Sequence, residues 1–158
     1  MIEIEEKYFN EQKEKAGDVY KTCPNIYCPY FGGQVILNSD GFHHIQFSAR
    51  RERPRQEQLL KFHLLPLALE VVRKSGTIQE YRKLLSPVGK RSAIDNSIPM
   101  KEIEYWAFIA IIGEQRVKIK AIVRRVGDGN HVFWSVMLHS KRKNGKQRLY
   151  SEGIEDEE

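Results

Sequence analysis

The sequence predicts an α+β protein in which N-terminal helices pack on one face of a C-terminal antiparallel sheet. The first half contains a long segment whose apolar residues recur at helical spacing. The last third contains three runs that are rich in β-branched and aromatic residues and are separated by glycines. Helices followed by strands are typical of the α+β class. A chain of 158 residues is long enough for one domain with its own core.

The chain is predicted to divide into three parts. Residues 1–32 form a peripheral N-terminal segment, in which residues 1–21 are charged, have few apolar positions and could form a helix. Residues 33–150 form a single α+β domain that begins with a short strand at Gln34–Leu37. Residues 151–158 form an acidic tail, which we expect to be flexible because it carries five acidic side chains and little apolar surface.

The segment after the first strand permits two interpretations. Ser39 could cap a helical turn that carries Phe42 to Phe47, because serine is a favoured N-cap residue. Alternatively, Asp40-Gly41 could close a hairpin, because this dipeptide is a frequent two-residue hairpin turn. The sequence leaves both open.

Residues Gln56–Lys74 are predicted to form the main core helix. Its apolar residues recur at helical spacing and therefore lie on one face. Pro66 lies inside the segment and is expected to kink or split the helix. Gly76 should end this helix, Thr77–Leu85 should form a second short helix, and residues 86–98 should form the longest loop. The apolar stripe of the main helix comprises Leu59, Leu60, Leu64, Leu65, Leu67, Ala68, Leu69, Val71 and Val72.

The last third is predicted to be a three-stranded antiparallel meander. Its strands are Glu104–Ile112, Glu114–Val126 and His131–His139, with turns at Gly113 and at 127–130. In the middle strand, apolar and basic residues alternate with a period of two, which places them on opposite faces of the sheet. The apolar members are Val117, Ile119, Ala121 and Val123, and the basic members are Arg116, Lys118, Lys120 and Arg124.

Closing the second hairpin at Asp128-Gly129 extends both faces onto the last strand. This closure predicts that Arg124 lies opposite Phe133, Ile122 opposite Ser135 and Lys120 opposite Met137. Val132, Trp134, Val136 and Leu138 would then pack against the helix. The basic face would gain the side chains of His131, Phe133, Ser135 and His139 and would become a cationic platform.

The charge distribution indicates a polyanionic partner. The net charge of the whole chain is +5, but residues 33–151 contain 22 basic and 10 acidic residues, which is a net charge of +12. No apolar run approaches the roughly 18–20 residues of a membrane helix, and the acidic N-terminus lacks the pattern of a secretory signal, so we expect a cytoplasmic protein without a membrane partner. Cys23 and Cys28 are interpreted as reduced thiols, because a second pair of zinc ligands is missing, and no metal or other cofactor is predicted.

Residues 41–55 are the candidate for chemistry. Two adjacent histidines are followed by four arginines, Arg50, Arg51, Arg53 and Arg55. Histidine can give and take a proton near neutral pH, and arginine binds phosphate through a planar fork of donors. The segment is therefore either part of a nuclease site or a solvated basic loop.

Four stretches resemble a known superfamily when they are taken together. They are Gly41-Phe42-His43-His44-Ile45, Tyr105-Trp106-Ala107-Phe108, the run from Lys118 to Arg125, and the run from His131 to Val136. The pattern spans roughly residues 33–138. It resembles the metal-independent ribonucleases of the barnase, EndoU, colicin E5/D and RelE fold, especially their phage and bacterial toxin-like members.

The resemblance implies a nuclease-like domain that cleaves RNA by attack of the 2′-hydroxyl and leaves a 2′,3′-cyclic phosphate. By that pattern the catalytic residues are His44, Lys120 or Arg124, and Ser135. Independently of the resemblance, the arginine-rich segment and the basic face of the sheet provide the residues expected to bind substrate, which are Arg50, Arg51, Arg53, Arg55, Lys118 and His131. An acidic protein inhibitor, as in toxin–antitoxin pairs, is an expected partner. No acidic residue on the sheet face matches a general base. The alternative is a non-catalytic nucleic-acid-binding or regulatory module that uses the same basic face.

Overall fold

A computed structural model describes residues 5–48, 50–89 and 91–139, so the acidic tail lies outside the described residues. Three helices and six strands are formed by this part of the chain. The helices are α1 (Glu6–Thr22), α2 (Ser39–His44) and α3 (Arg55–Lys74). The strands are β1 (Asn25–Cys28), β2 (Gly33–Ile36), β3 (Glu80–Pro87), β4 (Met100–Ile112), β5 (Val117–Val126) and β6 (His131–Leu138).

The six strands form one mixed sheet in the order β1-β2-β6-β5-β4-β3. All neighbouring strands are antiparallel except β2 and β6, which run parallel at Val35–His131 and Ile36–Val132. The predicted α+β class, with helices first and strands later, is confirmed. The predicted meander corresponds to β4–β6, and it forms half of a sheet that is larger than expected.

The main core lies between α3 and one face of the sheet, as predicted. Leu65, Ala68 and Val72 of α3 are buried there with Ile119 and Val123 of β5. The N-terminal segment is not peripheral, since several of its described residues are buried in the same core. These are Phe9, Ala16, Tyr20, Ile26 and Cys28.

The structure excludes one of the two effects expected of Pro66 and contradicts the prediction of a second short helix. Pro66 does not split the main helix, which continues from Arg55 to Lys74 with its apolar face buried on the sheet. Thr77–Leu85 does not form a helix, because Glu80–Pro87 is strand β3 and pairs with β4 over eight residues. This extensive pairing outweighs a weak local helical tendency, since tertiary context often decides the state of short segments.

Strand β6 contains a bulge that changes the predicted register. The pairs Lys120–Met137 and Ile122–Ser135 are as predicted, but Arg124 pairs with Val132 instead of Phe133. Because Val123 pairs with Phe133, Trp134 is the extra residue on β6. The bulge reverses the predicted orientations of the four residues from His131 to Trp134. His131 contacts Phe31 and Trp106 of the α3-side core, and Val132 lies with Arg124 instead of packing against the helix. Phe133 is buried in the α3-side core, whereas Trp134 packs with a second cluster that contains Ile103, Tyr105, Ala107 and Ile122.

A cavity between helix α2 and the sheet

A cavity of about 550 Å³ lies between α2 and the sheet face that carries the second cluster. It is lined by polar and titratable side chains from α2 and from strands β3, β4, β5 and β6. The lining residues are Asp40, His43, His44, Phe47, Ser48, Leu84, Ser86, Ile103, Tyr105, Arg124 and Trp134. Its size falls within the roughly 300–1,000 Å³ of ligand-binding pockets. We refer to it as the α2 cavity.

Helix α2 is held directly against the bulge of β6. Residues 39–44 are helical, as in the first of the two interpretations, but the cap is Asn38, whose Oδ1 accepts a hydrogen bond from the Gly41 amide over 2.9 Å. A Cβ atom at Gly41 would overlap the carbonyl oxygen of Phe133. Gly41 is therefore needed for close approach of two backbones and not for a hairpin turn.

The bulge directs Trp134 into the α2 cavity, where it contacts two predicted site residues. The His44 ring stacks on the indole at a centroid distance of 4.3 Å. The guanidinium carbon of Arg124 lies 4.1 Å from the indole centroid, which is close enough for a cation–π interaction. The structure therefore brings His44 and Arg124 together on one aromatic side chain.

A buried lysine from α3 forms hydrogen bonds to the two residues that follow the bulge. The Nζ atom of Lys61 donates to Ser135 Oγ over 2.8 Å and to the Val136 carbonyl over 2.7 Å. Both side chains are buried, and Ser135 is not among the residues that line the α2 cavity. Ser135, predicted to be a catalytic hydroxyl, instead accepts a structural hydrogen bond beside Trp134.

Arg53 contacts both the backbone and the ring of His44. Its Nε donates to the His44 carbonyl over 3.0 Å, and its Nη2 lies 3.2 Å from His44 Nε2. Because a guanidinium has only donors, Nε2 must accept, and the ring proton of His44 is then on Nδ1. Arg53 is 6% exposed and also pairs with Glu57 over 3.1 Å. It was predicted to bind substrate, but its burial makes it a residue that positions His44.

Arg124 has an unused hydrogen-bond donor at the cavity. Its Nε atom is buried and lacks a hydrogen-bond partner among the described residues. A buried donor without a partner is costly, and this atom has too little accessible surface to contact a ligand in the cavity directly. Arg124 itself lines the α2 cavity, whereas the other lysines and arginines of the predicted set do not, so it is the cation best placed to bind a phosphate there.

Asp40 and His43 also line the cavity, although neither was assigned a catalytic role from the sequence. His43 is exposed and stacks on Phe47 with centroids 4.5 Å apart. Asp40 lies in the first turn of α2. It is a carboxylate that lines the cavity from the α2 wall, opposite the sheet. Its position next to Gly41 had suggested only a turn.

The structure does not bring Lys120 to the cavity. Its side chain is 2% exposed, and Nζ lies 2.7 Å from Glu80 Oε2 and 3.1 Å from Oε1. Lys118 is on the same face and is half-buried, outside the cavity lining. The predicted side of the sheet is correct for both lysines. Only Arg124 of the predicted basic row reaches the cavity.

His131 lies away from the cavity, at the contact between β2 and β6. Its ring stacks on Phe31 at 4.0 Å and meets Trp106 edge to face at 5.1 Å. Burial, followed by the positive charge of Arg125, lowers the pKa of His131. Because burial disfavours its charged form, His131 is poorly suited to binding phosphate, the role predicted for it.

The remaining arginines of the 41–55 segment are exposed. Arg51 donates to the Glu52 carbonyl over 3.2 Å, and Arg55 forms an ion pair with Glu6 and lies over the Phe9 ring. The backbone amides of Arg50 and Arg51 donate to Ser48 Oγ over 3.4 Å and 3.3 Å, and Ser48 lines the cavity. None of the three lines the cavity itself.

Within the described ranges, no group of three or more His, Cys, Asp or Glu side chains is arranged to hold a metal ion. No helix in the same ranges is long and apolar enough to cross a membrane. Comparison with known proteins identifies no relative: the chain matches no family model, no curated protein and no solved structure.

Proposed function

We propose that the protein is a metal-independent endoribonuclease whose active site is the α2 cavity. The observation that supports this most is the convergence of His44 and Arg124 on Trp134, in a cavity that also contains Asp40 and His43. A module that only binds nucleic acid needs positive charge, but it does not need a histidine, a carboxylate and a cation in one cleft.

In the proposed reaction, the Asp40 carboxylate accepts the proton of a ribose 2′-hydroxyl. The 2′-oxygen then forms a bond to the adjacent phosphorus, and the bond from phosphorus to the 5′-oxygen breaks. The imidazolium form of His43 donates a proton to the departing 5′-oxygen. The products are a 2′,3′-cyclic phosphate and a 5′-hydroxyl. Proton transfers of this kind contribute about 10²–10⁴ in rate.

Arg124 is assigned to charge stabilisation and His44 to positioning. The guanidinium of Arg124, which lines the cavity, binds a non-bridging phosphate oxygen, whose negative charge grows in the transition state. His44 cannot accept a proton at Nε2 while Arg53 donates to that atom. Its ring instead packs on the Trp134 indole, which also contacts Arg124, and so helps to hold that arginine at the cavity. This assignment moves the proton-transfer role predicted for His44 to its exposed neighbour His43.

The proposal also covers the partners. RNA is the substrate, and the net charge of +12 on residues 33–151 supports attraction of its backbone. A toxin-like enzyme of this kind would act in the cytoplasm and would be controlled by an acidic protein inhibitor that covers the cavity.

The test is cleavage of a labelled RNA oligonucleotide in excess chelator, with the product ends identified by mass spectrometry. We expect 2′,3′-cyclic phosphate ends. Arg124→Ala and His43→Ala should each reduce the rate about 10²-fold or more. His44→Phe, which keeps a ring against Trp134, should retain more activity than His44→Ala. His63→Ala and Arg73→Ala change exposed residues of α3 and serve as matched controls.

Three results would contradict the proposal. They are loss of cleavage on chelation, product ends other than a cyclic phosphate, and full activity of the Arg124→Ala variant. RNA binding without cleavage by the unmodified protein would favour the binding module instead.

A further inference from the structure

A second, smaller cavity opens next to the α2 cavity. Its volume is about 250 Å³, and it lies between the start of α2 and the β5–β6 turn. The lining residues are Asn38, Asp40, Arg124, Val126, Gly129, Asn130, Val132 and Trp134. Asp40, Arg124 and Trp134 line both cavities, so the two spaces meet at the proposed phosphate-binding arginine.

We propose that this turn-side cavity is a subsite for one nucleobase of the RNA and that it gives the enzyme a sequence preference. The inference rests on the proposed function. Cleavage by a 2′-hydroxyl requires a nucleoside on each side of the reacting phosphate. If that phosphate is bound at Arg124, the two nucleosides extend into the two cavities that meet there.

The chemistry of the lining fits a base better than a phosphate. Val126 and Val132 provide apolar walls for the faces of a planar ring. Asn38 and Asn130 provide side-chain amides, which can donate to and accept from the edge of a base. Arg124 is the only lysine or arginine among the residues that line this cavity, and it is already assigned to the phosphate.

The size difference between the cavities indicates where selectivity arises. The turn-side cavity is smaller than the roughly 300 Å³ at the lower end of drug-sized pockets, so it suits a fragment such as a single base. The α2 cavity has more than twice that volume and could accept any base together with its ribose. The nucleotide preference should therefore be at one position next to the cleaved bond.

The two asparagines differ in what a substitution would remove. Asn38 Oδ1 caps α2, so its NH₂ group is the part that remains for a ligand. Asn38→Asp keeps an oxygen for the cap and removes that donor. Asn130 is exposed in the turn, and Asn130→Ala removes its amide without affecting a cap. Asn25→Ala, at an exposed position of β1, is the matched control.

The experiment is digestion of a pool of RNA oligonucleotides with random sequence, followed by sequencing of the product ends. We expect the unmodified protein to prefer one or two bases at a single position flanking the cut. Asn38→Asp or Asn130→Ala should reduce that preference about tenfold, since one good base-edge contact contributes about that much discrimination. Cleavage of the least preferred sequences should change little, and Asn25→Ala should keep the full preference.

The experiment distinguishes failure of the subsite proposal from failure of the proposed ribonuclease function. If the unmodified protein does not cleave the pool, the proposed function is wrong and the subsite with it. If it cleaves the pool with no flanking preference, or with one that both asparagine variants retain, the subsite inference is wrong while the ribonuclease stands. Val132→Trp, which fills the turn-side cavity, gives a second measurement. It should raise KM for a preferred oligonucleotide, and an unchanged KM would overturn the subsite.

Discussion

Arg53 and His44 are joined twice, through the His44 carbonyl and through its ring nitrogen, and both contacts are buried. The guanidinium of Arg53 is a donor in each, so it fixes both the end of α2 and the tautomer of the His44 ring. Arg53 was predicted from the sequence to bind the RNA backbone, but in the structure it orients His44.

Arg53→Met should therefore alter the tautomer of the His44 ring and should not remove a direct contact with RNA. In the unmodified protein, long-range ¹H–¹⁵N spectra should show the His44 proton on Nδ1. In the variant, a mixture of tautomers is expected because the donor to Nε2 is gone. Loss of the bonds made by this buried guanidinium should also cost about 2–4 kcal/mol of unfolding free energy. An unmodified protein with the proton on Nε2 would contradict the assigned hydrogen bond.

Gly41→Ala should separate α2 from β6. The added Cβ would overlap the backbone oxygen of Phe133, which cannot rotate away as a flexible side chain could. We expect a loss of about 1–3 kcal/mol in urea unfolding, and RNA cleavage should fall because His44 moves off Trp134. Gly33→Ala is the control, because nothing lies within 4 Å of a Cβ at that position. Equal stability of both variants would show that the helix does not lie this close to the strand.

The long elements could be predicted because their patterns are local. The core helix and strands β4–β6 show 3.6-residue or two-residue periodicity over eight residues or more. Strand β3 was predicted wrongly because it is a largely polar edge strand that is stabilised by pairing with β4. The parallel pairing of β2 with β6 joins segments about a hundred residues apart, and no local pattern reports such a contact.

The site was predicted only in part for the same reason. His44 and Arg124 were found as residue types in suitable places, and the structure brings them into one cavity. The bulge at Trp134 depends on contacts of β6 with α2 and α3, so the hairpin pattern alone could not reveal it. Asp40 was missed because Asp-Gly is also a common turn sequence.

The stability of the protein should fall as the pH drops from about 7 to 5. The pKa values of His131 and His139 are both lowered by burial, then by nearby positive charges: Arg125 for His131, and Lys120 and Lys118 for His139. Glu104 and Glu80 oppose these shifts. A folded-state pKa below the unfolded value near 6.5 means that the unfolded chain binds the proton first, so acid favours unfolding in this window. Urea titrations at pH 7 and pH 5 measure the effect. His131→Gln should reduce the difference, and an unchanged difference would exclude His131 as a contributor.

Lys120 and Arg124, which lie on the same face of β5, should respond to substitution in opposite ways. Lys120 is buried against Glu80, so Lys120→Ala leaves a partly buried carboxylate without its partner. We expect it to lower the unfolding free energy by about 1–3 kcal/mol, somewhat less than for a fully buried pair because Glu80 is about one-third exposed. Once folded, this variant should bind RNA as the unmodified protein does.

Arg124→Ala should do the reverse. The half-buried guanidinium contacts Trp134 and leaves Nε unpartnered, so its removal should change stability little and weaken RNA binding. The slope of log affinity against log salt should become shallower by about one phosphate contact. Urea unfolding and RNA titrations at several salt concentrations, carried out on both variants, provide the comparison. A Lys120→Ala protein that is fully stable but deficient in RNA binding would indicate that Lys120 binds RNA. It would contradict the roles assigned to Lys120 and Arg124.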